Sequence, residues 1–153
     1  MQIYKDQVVL LMKYSDVFEK NVVNIHQEIL NRTGYVWYGK VGATPSLKTL
    51  NLISKKGEYF CILHSSKTGS YLCSFTEFSD IIPQNGYPEY YEKYFSNKGF
   101  FKVFFKLNRM VRLPENFHTN FYLASSGENI MNALNYSMGS MFIAKAYKEY
   151  TFE

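Results

Sequence analysis

The sequence predicts one mixed α+β domain over residues 1–153, with a curled sheet of five or six strands and two or three short helices. Three observations predict it. Short runs rich in Val, Phe and Tyr recur along the chain between turn residues, the pattern of buried and half-buried strands. Segments with helical period are few and short. Hydrophobic residues make up 46% of the 153 and charged residues only 20%, which excludes a disordered chain and supplies a core of ordinary size.

The elements follow in order. Val8-Val9-Leu10-Leu11-Met12 reads as a buried strand. Asp16 and Glu19 form a capping box that opens a helix with Phe18, Val22, Ile25 and Ile29 on its apolar face, and Gly34 ends it. Tyr35 to Val41 is a second strand. Pro45 starts a short helix through Leu47, Leu50 and Ile53, ending at Gly57. Tyr59 to His64 and Ser70 to Phe78 are the arms of a hairpin turning at Lys67-Thr68-Gly69-Ser70. Residues 81–98 form a long connection with Pro83, Gly86, Pro88 and a run of aromatic rings, and connections of that length are usually functional. Phe100 to Leu113 is the longest strand. Period 2 sends Phe101, Val103, Phe105 and Leu107 to a core face and Lys102, Phe104, Lys106 and Arg112 to the other. A short strand at Tyr122–Ala124, a short helix at Gly127–Asn135 and a closing strand at Met141–Tyr147 complete the domain.

The net charge of +4 is concentrated. Between Gly86 and Arg112, six cations (Lys93, Lys98, Lys102, Lys106, Arg109, Arg112) face two acids (Glu89, Glu92), and the rest of the chain is balanced. A basic stretch on a neutral domain points to a polyanion. No run approaches the ~18 apolar residues of a membrane span, and Val8–Met12 is too short for a secretory leader. A cytoplasmic location is expected, with Cys61 and Cys73 as buried free thiols.

Catalytic motifs are absent. The sequence has no P-loop, no G-x-G-x-x-G, no H-E-x-x-H, and no acid two residues before a lysine. His26 reads as a surface helix residue. His64 precedes Ser65-Ser66 without a strained nucleophile turn. No enzyme activity, cofactor or metal is expected.

Val8 to Ser15, followed by a helix and then Tyr35-Val36-Trp37, resembles the opening of a YTH domain. Tyr59-Phe60-Cys61-Ile62-Leu63-His64-Ser65 and Gly69 to Glu77 resemble its central hairpin, and Phe101-Lys102-Val103-Phe104-Phe105 the strand after its variable loop. YTH is grouped with EVE and ASCH domains among the PUA-like pseudo-barrels. Such modules also stand at the N-terminus of the DNA-recognition subunit of McrBC-type modification-dependent restriction systems. The resemblance implies a PUA-like pseudo-barrel of YTH/EVE type that binds nucleic acid, DNA favoured over RNA, with a modified base flipped into an aromatic pocket. It places Trp37 on one wall, Tyr91 and Tyr94 on the other, and Ser15 and Asp16 at the base edge. Lys98, Lys102, Lys106, Arg109 and Arg112 would hold phosphates. A nuclease or NTPase subunit is the implied protein partner, with no membrane involved. The alternative is a phage or mobile-element protein that uses the same barrel, through its Tyr-rich connection, to bind a protein.

Overall fold

A computed structural model describes residues 1–14, 21–53, 59–137 and 139–152. The strongly patterned segments take the form their period dictates. The strands are β1 (Gln2–Ile3), β2 (Val8–Lys13), β3 (Val36–Val41), β4 (Tyr59–Ser65), β5 (Gly69–Ser79), β6 (Phe101–Arg112), β7 (Phe121–Leu123), β8 (Met141–Ala146) and β9 (Tyr150–Thr151). The helices are α1 (Val22–Thr33), α2 (Leu47–Ile53) and α3 (Met131–Tyr136), with 3-10 turns at Glu89–Tyr94 and Phe117–Asn120. Seven strands form one mixed sheet in the order β3-β6-β5-β4-β2-β8-β7, and β1 pairs with β9. The order is open, with β3 and β7 at its ends, so the expected barrel closure is corrected to an open sheet. β7 is the short strand expected at Tyr122–Ala124, and the strands beyond those expected among the described residues are the two-residue terminal ones, too short to carry a period of their own. No helix among the described residues is long and apolar enough to cross a membrane.

The chain falls into two compact units, and β5 and β6 contribute residues to both. The first holds Met1–Tyr14, Tyr59–Cys73 and Val111–Glu153. Here β2 lies between a parallel β4 (Leu11↔Ile62) and an antiparallel β8 (Leu11↔Phe142). A central strand covered on both faces needs a continuous apolar run, and Val9, Leu10, Leu11 and Met12 are all buried. Val9, Leu11, Phe60, Ile62, Phe121 and Ile130 belong to its core. Cys61 and Cys73 are buried free thiols, as expected. β1 runs antiparallel to β9, and the Phe152 ring stacks on Phe121 at 6.3 Å.

The second unit holds Ser15–Glu58 and Ser74–Met110. α1 stops at Gly34, whose φ of 87° is left-handed and whose N–H donates to Leu30 O at 2.8 Å. The expected capping box of Asp16 and Glu19 lies outside the described residues. The buried stripe of α1 is Val22, His26 and Leu30, while Ile25 and Ile29 are only half-buried. His26 is therefore corrected from surface to core. α2 starts two residues later than Pro45 alone would place it, with Ser46 Oγ accepting from Thr49 N–H at 3.2 Å. β3 runs antiparallel to β6, pairing Trp37 with Lys106 and Gly39 with Phe104.

Candidate functional site

β3 ends the sheet, so the backbone groups on its outer side need partners from elsewhere. The Tyr-rich connection supplies them. Trp37 N–H donates to Gly86 O at 2.7 Å, and Gly39 N–H donates to the Tyr91 hydroxyl at 2.9 Å. Glycine is required twice. A Cβ on Gly39 would meet the Phe101 ring at 2.5 Å. One on Gly86, whose φ is +76°, would meet Tyr35 at 2.4 Å.

Trp37 is 9% exposed and packs with Tyr91 and Phe104, flanked by Tyr35 and Phe101. Lys106, directly opposite on β6, sets its ammonium 5.9 Å from the indole centre and 4.5 Å from the Tyr35 ring. These are cation–π contacts. Tyr91 is 2% exposed. Its hydroxyl also meets His26 Nε2 at 2.9 Å, while His26 Nδ1 meets Val22 O at 2.7 Å. Val22 O can only accept, so Nδ1 carries the proton and Tyr91 donates to Nε2. Both His26 nitrogens, the Tyr91 hydroxyl and the Gly39 N–H are thus satisfied inside the core. Tyr91 is thereby corrected from an open pocket wall to a buried bracket between α1 and β3. Burial holds His26 down at about 4 against the helix carbonyl's opposing pull, and pushes the Tyr91 phenol up.

Tyr94 is half-buried and stacks on Phe100 at 4.4 Å and 9°. Lys98, Lys102 and Arg109 are exposed and Lys106 is half-buried. Phe104 and Met110 are buried, so the face of β6 expected to alternate aromatic and basic groups is partly core. The structure groups Lys98, Lys102, Lys106 and Arg109 in the second unit. Arg112 belongs to the first, and Ser15 and Asp16 lie outside the described residues. Lys40 lies on β3 and is 1% exposed. Its ammonium donates to Val41 O, and burial pulls it down to about 8.

The first unit contains a cleft of ≈ 720 Å³ between the β4–β5 turn and the segment after β6. His64 Nδ1 meets Ser70 Oγ there at 2.6 Å, and His64 Nε2 is buried without a partner among the described residues. His64 is held below its ordinary value, first by burial and then by the positive charge of Lys13. The pairing is with Ser70 across the hairpin, not with the adjacent Ser65 or Ser66. The signal was available, because a hairpin turning at 67–69 brings residues 64 and 70 beside each other. Comparison of the chain with protein-family models, with curated proteins and with solved structures finds no match.

Proposed function

We propose that this chain is a nucleic-acid-binding module of PUA-like, YTH/EVE type, with DNA its favoured partner, and that the second unit carries the contact. The observation that supports it is the set of cations on β6 and its approach. Lys98, Lys102, Lys106 and Arg109 form no ion pair with a described residue, Lys106 lies over the half-buried Tyr35 ring, and the half-buried Tyr94 and Phe100 rings stack on each other between the 3-10 turn at Glu89–Tyr94 and β6. Free cations track phosphates and adjacent rings offer stacking surfaces, the combination that single-stranded or extruded bases require. Lys102 and Lys106 are four residues apart on one strand, roughly 13 Å, or about two backbone phosphates of an extended strand.

Recognition of a modified base would use Trp37. At 9% exposure, with Lys106 over the ring, the indole becomes a stacking face only when Lys106 leaves it for a phosphate. Base entry and phosphate contact are then coupled through one lysine. The module would serve as the specificity element of a modification-dependent restriction system, with motor and nuclease on other subunits. A second reading, a protein partner, is favoured by Ile81 and Ile82, which are 73% and 45% exposed at the start of the Tyr-rich connection.

Fluorescence anisotropy with labelled DNA across a salt series tests the proposal. Replacing Lys102 and Lys106 together by Ala should weaken binding across sequences and lower the salt slope by roughly 1.5–2. An unchanged slope would reduce the basic strand to a solvated face. Unchanged DNA binding by an Ile81→Asp variant separates the nucleic-acid reading from the protein-partner reading.

A further inference from the structure

We propose that the cleft of the first unit is a binding site for a small phosphomonoester, built from residues that take no part in the basic face of the second unit. Three features of its construction carry this.

The first is a held guanidinium. Arg112 Nη1 donates to the Tyr71 hydroxyl at 3.1 Å, and the guanidinium carbon lies 5.7 Å from the centre of that ring. Gly69, with φ +112°, leaves the space it occupies, since a Cβ there would sit 3.0 Å from Nη2. Arg112 forms no ion pair with a described residue. One neutral phenol leaves most of its donor fork available, and that fork matches the oxygens of a phosphate.

The second is a braced hydroxyl-rich turn. The Tyr14 hydroxyl meets Thr68 Oγ1 at 2.6 Å and Gly69 O at 3.2 Å, and Ser65 Oγ accepts from Lys67 N–H at 3.3 Å. Ser65, Ser66, Thr68 and Ser70 all line the cleft, together with Lys67. With Arg112, these give two cations against the single carboxylate of Glu115. A phosphomonoester offers about two charges and three acceptor oxygens to such a set.

The third is the His64–Ser70 pair. Ser70 is 5% exposed, and Ser70 O accepts from Leu113 N–H at 2.9 Å. A buried N–H without an acceptor costs more than a buried lone pair, so the favoured tautomer of His64 carries its proton on Nδ1 and donates to Ser70 Oγ. The Ser70 hydroxyl is then turned into a donor aimed at an incoming anion. In this tautomer His64 has no lone pair on Nδ1 to activate Ser70, so the pair is a binding device rather than a nucleophile and its base. Leu113 and Phe117 floor the cleft and accommodate the organic body of the ligand.

The test titrates inorganic phosphate, then adenosine 5′-monophosphate, into the full chain in phosphate-free buffer, following the His64 ring resonances by NMR. A further arm compares a 5′-phosphorylated oligonucleotide with its 5′-hydroxyl twin. Arg112→Gln should weaken phosphate binding roughly tenfold to hundredfold, the loss of a charge-assisted hydrogen bond. Arg112→Lys should recover part of it. Melting temperature should change little in either variant, since Arg112 is exposed. The Lys102→Ala, Lys106→Ala protein should bind phosphate as wild type does, which separates this site from the nucleic-acid proposal. Arg112-dependent binding of the mononucleotide identifies a free ligand. Dependence confined to the 5′-phosphorylated oligonucleotide identifies a chain end. Phosphate, mononucleotide and 5′-phosphate all binding equally to wild type and Arg112→Gln, or none binding to either, overturns the proposal.

Discussion

His26 and His64 place the same side chain in two settings. Both are desolvated and both meet a hydroxyl, Tyr91 in one unit and Ser70 in the other. His26 is 1% exposed, and each of its nitrogens has a partner. His64 is half-buried at a cleft, with one nitrogen bonded and the other without a partner among the described residues. A closed network in which every donor meets an acceptor is what packing selects, because an unmet buried group costs about 1–3 kcal/mol. At the cleft, the His64–Ser70 pair is not closed by a further protein group among the described residues, and the Ser70 hydroxyl keeps a donor for a ligand. Titratable groups in this chain are therefore separated by the completeness of their hydrogen bonding, since burial lowers both imidazoles alike.

The largest expected effect breaks the closed side. Tyr91→Ala removes a fully buried ring and leaves His26 Nε2 and Gly39 N–H without partners. The stability loss should be about 3–5 kcal/mol, measured by urea unfolding. A loss under about 1 kcal/mol would show that the bracket between α1 and β3 is dispensable.

Next in size is a pH effect. Unfolded histidine takes a proton near 6.5, whereas folded His26 refuses it until about 4. Its neutral form is favoured in the fold, so stability is full above pH 6.5 and declines as pH falls toward 4. The total decline is about 3 kcal/mol, and below that window both states are charged and no further loss accrues. His64 is shifted in the same direction and adds to the decline with the same sign. Comparing unfolding at pH 7 and pH 4.5 for wild type and His26→Asn isolates the His26 share. Parallel profiles would show that His26 titrates normally.

Tyr91→Phe is the milder cut, keeping the ring and deleting the oxygen. It should cost about 1–3 kcal/mol by leaving two buried groups unpaired. It should also speed amide exchange at Gly39, which loses its acceptor. Unaltered exchange there would mean that the edge of β3 is protected by something else.

The sequence made the period of β2, β6 and the hairpin legible because strand alternation and apolar runs are local signals. His26 was misjudged because its neighbours in sequence, Gln27 and Glu28, are polar, while the partner that makes it core is Tyr91, 65 residues on. Tyr91 was misjudged for the same reason. The aromatic run it belongs to reads alike whether it lines a pocket or seals a strand edge, and only the location of β3 at the end of the sheet decides. The terminal pairing of β1 with β9 joins two-residue segments nearly a chain length apart, so nothing local announces it. The cations of β6 were legible as a charge excess. That Arg112 belongs to a different unit from Lys102 and Lys106 was not, since one continuous strand carries all three.

The smallest effect concerns Lys106, whose contacts with Tyr35 and Trp37 resemble packing and whose charge resembles a phosphate clamp. Lys106→Met keeps an unbranched chain of similar length over the two rings and removes only the charge. Lost cation–π attraction at a half-buried position amounts to about 0.5–1 kcal/mol, so unfolding midpoints should move little. If the ammonium also meets a phosphate, the salt slope for DNA should fall by roughly 0.7–0.9, the share of one contact. A clear loss of stability with no change in slope would make Lys106 a lid that stays shut. A change in slope without loss of stability would make it the hinge between the closed aromatic cluster and its open use. The second outcome is expected, because a half-buried ammonium without an ion pair among the described residues has more to gain from a phosphate than from two neutral rings.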